Sequence, residues 1–112
     1  IIWGDGEIVR DYVHIEDAKE SFILACEKQT ENKIFNIGSG KGTSLNELVA
    51  LIKKVTDEKF EVQYEPGRLF DVPVNILDIQ RAKRELGWQP QVSLMDGILK
   101  AWQSLPSTFV TI

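Results

Sequence analysis

An α/β fold of short strands with about four helices is what the sequence predicts, and three observations carry the prediction. Strand-like apolar runs alternate with amphipathic helical stretches, which is the pattern of an α/β layer structure. Helix starts are written in local chemistry, as at Ser44-Leu45-Asn46-Glu47. Glycine-bearing turns such as Gly4-Asp5-Gly6 and Gly38-Ser39-Gly40 punctuate the runs. No internal repeat, low-complexity tract or linker divides the chain, so residues 1–112 are read as a single domain.

The elements follow in order. Ile1-Ile2-Trp3 is a short apolar run closed by Gly4-Asp5-Gly6, and Glu7 to Val13 reads as extended chain, so the two are expected to form a hairpin. Ile15 opens a helix to about Lys28, with Ala18, Phe22, Ala25 and Cys26 at helical spacing and Glu16 and Asp17 at its positive N-terminal end. Cys26 is expected to be a small buried hydrophobe. Lys33 to Gly38 is expected to be a short buried strand. The capping box at Ser44 and Glu47 then starts the clearest helix, with Leu45, Leu48, Val49, Ile52 and Val55 on one face. Phe60 to Tyr64 alternates like a half-buried strand, and Glu65-Pro66-Gly67-Arg68 is a turn. Val72 to Leu77 is extended, with Pro73 confining it to an edge. Asp78 caps a short helix to Leu86 with Gly87 as its C-terminal glycine, and Ser93 caps a last helix through Trp102. From Ser104 the tail has no clear period. Several helices carry apolar faces wide enough to need a second layer.

Composition narrows the function. With 43% apolar and 27% charged residues the chain is globular, and its net charge of -4 argues against nucleic-acid binding. No apolar run approaches the roughly 20 residues that span a bilayer. A single cysteine and the absence of a signal peptide point to a reducing, cytoplasmic setting. The chain starts Ile1-Ile2-Trp3 without methionine and is read as a piece of something longer.

One histidine and one cysteine leave no conventional metal site, and there is no nucleophile elbow. Gly38 to Ser44 lacks the order of a phosphate loop and reads as a strand-to-helix turn. His14, Trp88 and Trp102 are read as structural. The isolated arginines Arg10 and Arg68 are better candidates, because a guanidinium presents a permanently charged fork that fits two phosphate oxygens. Tyr12 shares a side with Arg10 in extended chain, and Asp71 could bind a ribose hydroxyl or orient an arginine. On spacing alone, surface ion pairs remain the competing account of both arginines.

Arg10-Asp11-Tyr12-Val13-His14-Ile15-Glu16-Asp17 closely resembles the Arg-Asp-Tyr-(Val/Ile)-His-Val-x-Asp signature of nucleotide-sugar epimerases and dehydratases, the extended short-chain dehydrogenases. In order along the chain, Gly4-Asp5-Gly6, Asn36-Ile37-Gly38-Ser39-Gly40, Arg68-Leu69-Phe70-Asp71-Val72 and the closing Asp78, Ala82, Leu86-Gly87-Trp88 and Pro90 are similar to further motifs of that family. Leu69-Phe70 departs from it, standing where many members have Pro-Gly or similar small residues.

The resemblance implies that Arg10 and Arg68 grip the diphosphate of a nucleotide sugar, with Asp71 beside the ribose and Tyr12 near the diphosphate or sugar. Asp11, His14 and Asp17 would hold backbone and packing. The family's Gly-x-x-Gly-x-x-Gly loop and its Tyr-x-x-x-Lys catalytic pair are absent, so no catalytic and no cofactor-binding residue is assigned. The chain thus resembles the small C-terminal substrate-binding domain of a UDP-glucose 4-epimerase-like enzyme, lacking the Rossmann half. NAD is implied for the full-length enzyme and for none of this chain alone, which is expected to be inactive. The expected partners are the nucleotide-diphosphate sugar and the missing N-terminal Rossmann domain, with self-association a way to cover the exposed face. A dehydratase or decarboxylase fragment, and a non-catalytic binding module, are the alternatives.

Overall fold

The computed structural model describes residues 1–106. Reading of the tail beyond Pro106 lies outside the described residues. Short strands and four helical segments make up an α/β structure. The strands are β1 (Ile2–Trp3), β2 (Val9–Asp11), β3 (Gly42–Ser44), β4 (Tyr64–Glu65) and β5 (Val74–Asn75). The helices are α1 (Ile15–Glu27), α2 (Leu45–Thr56) and α3 (Leu94–Ser104), with a π-helical segment at Ala82–Leu86.

The expected hairpin does not form. β1 pairs in parallel with β4, Ile2 opposite Tyr64, while β2 is the centre of a three-stranded sheet in the order β3-β2-β5. β2 runs antiparallel to β3 and parallel to β5. Gly4 and Gly6 both have positive φ, and the chain between β1 and β2 directs them to different sheets. Pro73 sits just before the edge strand β5, where its missing N–H does no harm, and its carbonyl accepts from Val9 N–H at 2.8 Å.

Helix starts behave as their sequences dictate. Ser44 Oγ accepts from the Glu47 N–H and the Glu47 carboxylate accepts from the Ser44 N–H, completing the capping box. Ser93 Oγ accepts from Asp96 N–H to cap α3, and Asp78 accepts from Gln80 N–H ahead of the π-helical segment. His14 caps α1, its Nδ1 accepting from Glu16 N–H, so it is structural as read. Gly87 ends its helix in the left-handed region at φ 69°.

The core is small. Ala82, Leu86 and Trp88 are buried, and Val13, Leu24, Phe35, Ile37 and Ile79 pack against them. Trp88 donates from Nε1 to the Asp17 carbonyl at 2.8 Å, which satisfies its one polar atom. The Asp17 carboxylate accepts from Gln91 and Val92 N–H, fastening α1 to the segment that leads into α3.

Two expectations fail around α1. Its buried residues are the polar Asp17 and Ser21, whereas Ile15 and Phe22 are 75% and 73% exposed. Cys26 is exposed for the same reason: the apolar stripe faces away from this core. Lys33 to Gly38 is not a strand, since no strand lies beside it among the described residues. It is held by side chains instead, through Asn36 Nδ2 to the Asp78 carbonyl and Arg81 Nη1 to the Ile34 carbonyl. Of the expected strand at Phe60 to Tyr64 only its end is paired, in β4.

Candidate functional site: two arginines on one loop

Arg10 lies at the middle of β2, opposite Thr43 on β3 and Asn75 on β5. Its guanidinium is turned along the sheet. Nη1 donates to the Val9 carbonyl at 2.8 Å and to the Val72 carbonyl at 2.7 Å. Val72 follows Asp71 directly, and Asp71 is the partner of Arg68, with Nε to Oδ2 at 3.3 Å. Arg10 therefore reaches the segment 68–72, to which Arg68, 58 residues further along, itself belongs.

That segment is held against β1. A Cβ on Gly67 would lie 3.3 Å from the Gly4 Cα, so a side chain there would push the two main chains apart by a few tenths of an ångström. The approach brings Trp3 to the Arg68 guanidinium, with Cζ 5.7 Å from the ring centroid, and Phe70 stands 5.9 Å from the same Cζ. Trp3 was not singled out in the sequence. Its signal was an aromatic residue directly before a glycine turn, which says nothing about a contact 65 positions away.

Trp3, Asp5, Glu7, Arg68 and Asp71 line one open cleft of about 390 Å³. Its three carboxylates outnumber its single cation, so its rim suits hydroxyl donors. Tyr12 lines a different cleft, of about 570 Å³, with Ser39, Lys41, Thr43 and Ser93. Thus Arg68 and Asp71 share one cleft, Arg10 reaches their loop from β2 without lining that cleft, and Tyr12 opens on other surroundings.

Asp11 anchors the end of the strand that carries Arg10, directly before Tyr12. Its carboxylate accepts from Ser39 N–H and Oγ, both at 2.6 Å, from Gly40 N–H at 2.9 Å and from Leu77 N–H at 3.2 Å. Burial pushes the Asp11 pKa up, but the hydrogen bonds from Ser39, Leu77 and Gly40 together outweigh it and hold the carboxyl below the usual carboxylate range. A Cβ on Gly38 would come 2.7 Å from Asp11 Oδ2, which is why the loop is glycine there. The N–H groups of Ser39 and Gly40, which could have cradled a phosphate, are occupied by the protein's own carboxylate, so this turn does not fit a dinucleotide. Among the described residues no group of histidine, cysteine and carboxylate side chains could hold a metal ion, and no helix is long and apolar enough to cross a membrane.

Comparison with known proteins adds what geometry alone does not. Residues 1–101 match the family model described as GDP-mannose 4,6 dehydratase. A UDP-glucose 4-epimerase of Mycolicibacterium smegmatis is 40% identical over 99 residues, which is 88% of this chain and 32% of that protein. The crystal structure of a UDP-glucose 4-epimerase from Thermotoga maritima with UDP-glucose superposes with a TM-score of 0.89 at 44% identity, covering 96% of this chain and 35% of that one. A UDP-glucose 4-epimerase from Bifidobacterium longum in complex with NAD+ and UDP gives a TM-score of 0.79 at 26% identity, over 90% of this chain and 31% of that one. The chain spans about a third of the length of these relatives.

Proposed function

This chain belongs to the GDP-mannose 4,6 dehydratase family, among the NAD-dependent epimerases and dehydratases of the extended short-chain dehydrogenases, and from that premise we propose that it is the substrate-binding portion of a cytoplasmic nucleotide-sugar epimerase acting on a UDP-sugar. In this proposal the chain is one domain, and an N-terminal dinucleotide-binding domain supplies the rest.

The observation that carries the proposal is that Arg10, from β2, reaches the Val72 carbonyl in the same five-residue segment that holds Arg68 and its partner Asp71. Each guanidinium is tethered through part of its donor set, Arg10 by Nη1 and Arg68 by Nε, and keeps other N–H groups for a ligand. Two charge-assisted contacts of this kind would hold a diphosphate from both sides. Asp71 would accept from a ribose hydroxyl, while Tyr12, one residue past β2 and lining the other cleft, is left out of the clamp. These residues provide orientation and remote binding energy, which lowers a barrier only where reacting groups are also present. Hydride chemistry is the contribution of NAD in the full-length enzyme, and no group of this chain takes part in it.

Arg10→Ala and Arg68→Ala in the full-length protein should each weaken UDP-sugar binding by about 1.5–3 kcal/mol and leave NAD binding nearly intact. Calorimetry that finds both variants binding the UDP-sugar as the parent does rejects the clamp. The 112-residue chain by itself, mixed with NAD and UDP-glucose, should yield no galactose epimer. A second reading within the family, a dehydratase or decarboxylase, has the matched family model in its favour and predicts a different product from the full-length enzyme.

A further inference from the structure

The Arg68 guanidinium is held on three sides. The Trp3 and Phe70 rings stand 5.7 and 5.9 Å from Cζ, and the Asp71 carboxylate meets Nε at 3.3 Å. A cation is drawn to an aromatic face by the ring quadrupole, so both rings restrain where the guanidinium sits. The carboxylate at Nε restrains rotation of the same group. Among the described residues neither Nη of Arg68 donates a hydrogen bond, so these are the donors left over. Trp3 is delivered by the main chain itself, through the pairing of Trp3 with Glu65 and the close approach of Gly4 and Gly67. Both rings are largely uncovered, 48% exposed at Trp3 and 79% at Phe70, so burial in this chain does not account for them. Arg10 needs no such rings, because two carbonyls hold its Nη1.

We propose that Trp3 and Phe70 are positioning residues for Arg68, holding its guanidinium ready so that the two Nη groups meet the diphosphate without first losing side-chain freedom. Arginine is among the side chains with most rotamer entropy to lose, and a pre-set guanidinium avoids that cost at the moment of binding. The inference rests on the assignment of Arg68 to the diphosphate. It also gives the departure at Leu69-Phe70 a use: Phe70 supplies the second ring.

The test measures UDP binding to the full-length protein, and inorganic pyrophosphate binding by displacement of UDP. Pyrophosphate has no base, so it reports on the clamp alone. Trp3→Leu should weaken pyrophosphate binding by about three- to fivefold and Phe70→Leu by about two- to threefold, while Trp3→Phe keeps most of the affinity. In an Arg68→Ala background Trp3→Leu should cause no further loss, a result that a merely structural tryptophan would not give. Should Trp3→Leu fail to fold, Phe70→Leu against Phe70→Tyr makes the same comparison at an exposed position. Weakened UDP binding with unchanged pyrophosphate binding would mean that the rings serve the nucleoside end, and the inference is overturned. Unchanged pyrophosphate binding in Arg68→Ala, or no displacement of UDP by pyrophosphate at all, removes instead the diphosphate assignment beneath it.

Discussion

Asp11 shows how one side chain can set a local structure and a pH dependence together. Its carboxylate collects hydrogen bonds from Ser39, Gly40 and Leu77, joining β2 to the Gly38–Gly40 loop and to the chain beyond β5. Because its folded pKa is depressed, its contribution to stability is fully present above the unfolded value, about pH 4, and is lost as pH falls through the folded value. Thermal unfolding between pH 2 and 5 should therefore show a loss of stability that Asp11→Asn removes. At neutral pH Asp11→Asn should destabilise by about 1–3 kcal/mol, since an amide NH2 then faces N–H donors. A flat difference between parent and variant across that range would show that Asp11 is not charged against these donors. Arg10 directly precedes this anchor, so the strand that carries it depends on Asp11. At this scale the sequence was informative about identity and silent about contact. Asp11, Arg10 and Arg68 were all legible through the family signature, but the Val72 carbonyl that receives Arg10, and the Trp3 ring beside Arg68, arise from chain paths that no local pattern encodes.

Elements sort by whether their cause is local. Helix starts and stops were legible because the residues responsible lie within four positions of one another, as at Ser44 with Glu47 and at Ser93 with Asp96. Two substitutions measure such local causes. Ser44→Ala should cost about 1 kcal/mol in urea denaturation by deleting the α2 cap. Gly87→Ala meets nothing within 4 Å of its new Cβ, so its cost of about 1 kcal/mol should come from the left-handed backbone alone. A neutral Gly87→Ala would mean that the chain leaves that conformation easily. Strand pairing was much less legible. The Ile1–Trp3 run does not turn back on Glu7–Val13; it finds Tyr64, and a parallel partner leaves no signature in the intervening turn. For Lys33 to Gly38 the apolar residues point inward in part, since Phe35 and Ile37 reach the core, but Ile34 is 76% exposed and among the described residues no neighbouring strand pairs with the segment.

The molecule as a whole has more surface than its mass calls for. Its accessible area is 8406 Å², against roughly 6,200 Å² for a compact monomer of 12.7 kDa, and it is a slab of 48 × 38 × 18 Å. The radius of gyration, 16.6 Å, likewise exceeds the roughly 13 Å of a compact domain of this length. The excess has a chemical address. α1 turns Asp17 and Ser21 inward and leaves Ile15 and Phe22 outside, the inverse of a surface helix in a self-sufficient domain. In the proposed enzyme the dinucleotide-binding domain would cover this apolar face. The isolated chain should accordingly bind an apolar fluorescent dye and self-associate as its concentration rises, by light scattering. Phe22→Glu should reduce both, with little loss of helicity, because Phe22 is 73% exposed and its removal takes nothing from the core. Co-expression with the proposed dinucleotide-binding domain should suppress dye binding without any substitution. A monodisperse chain that binds no dye would instead favour a stand-alone binding module, since a face that water tolerates needs no second layer.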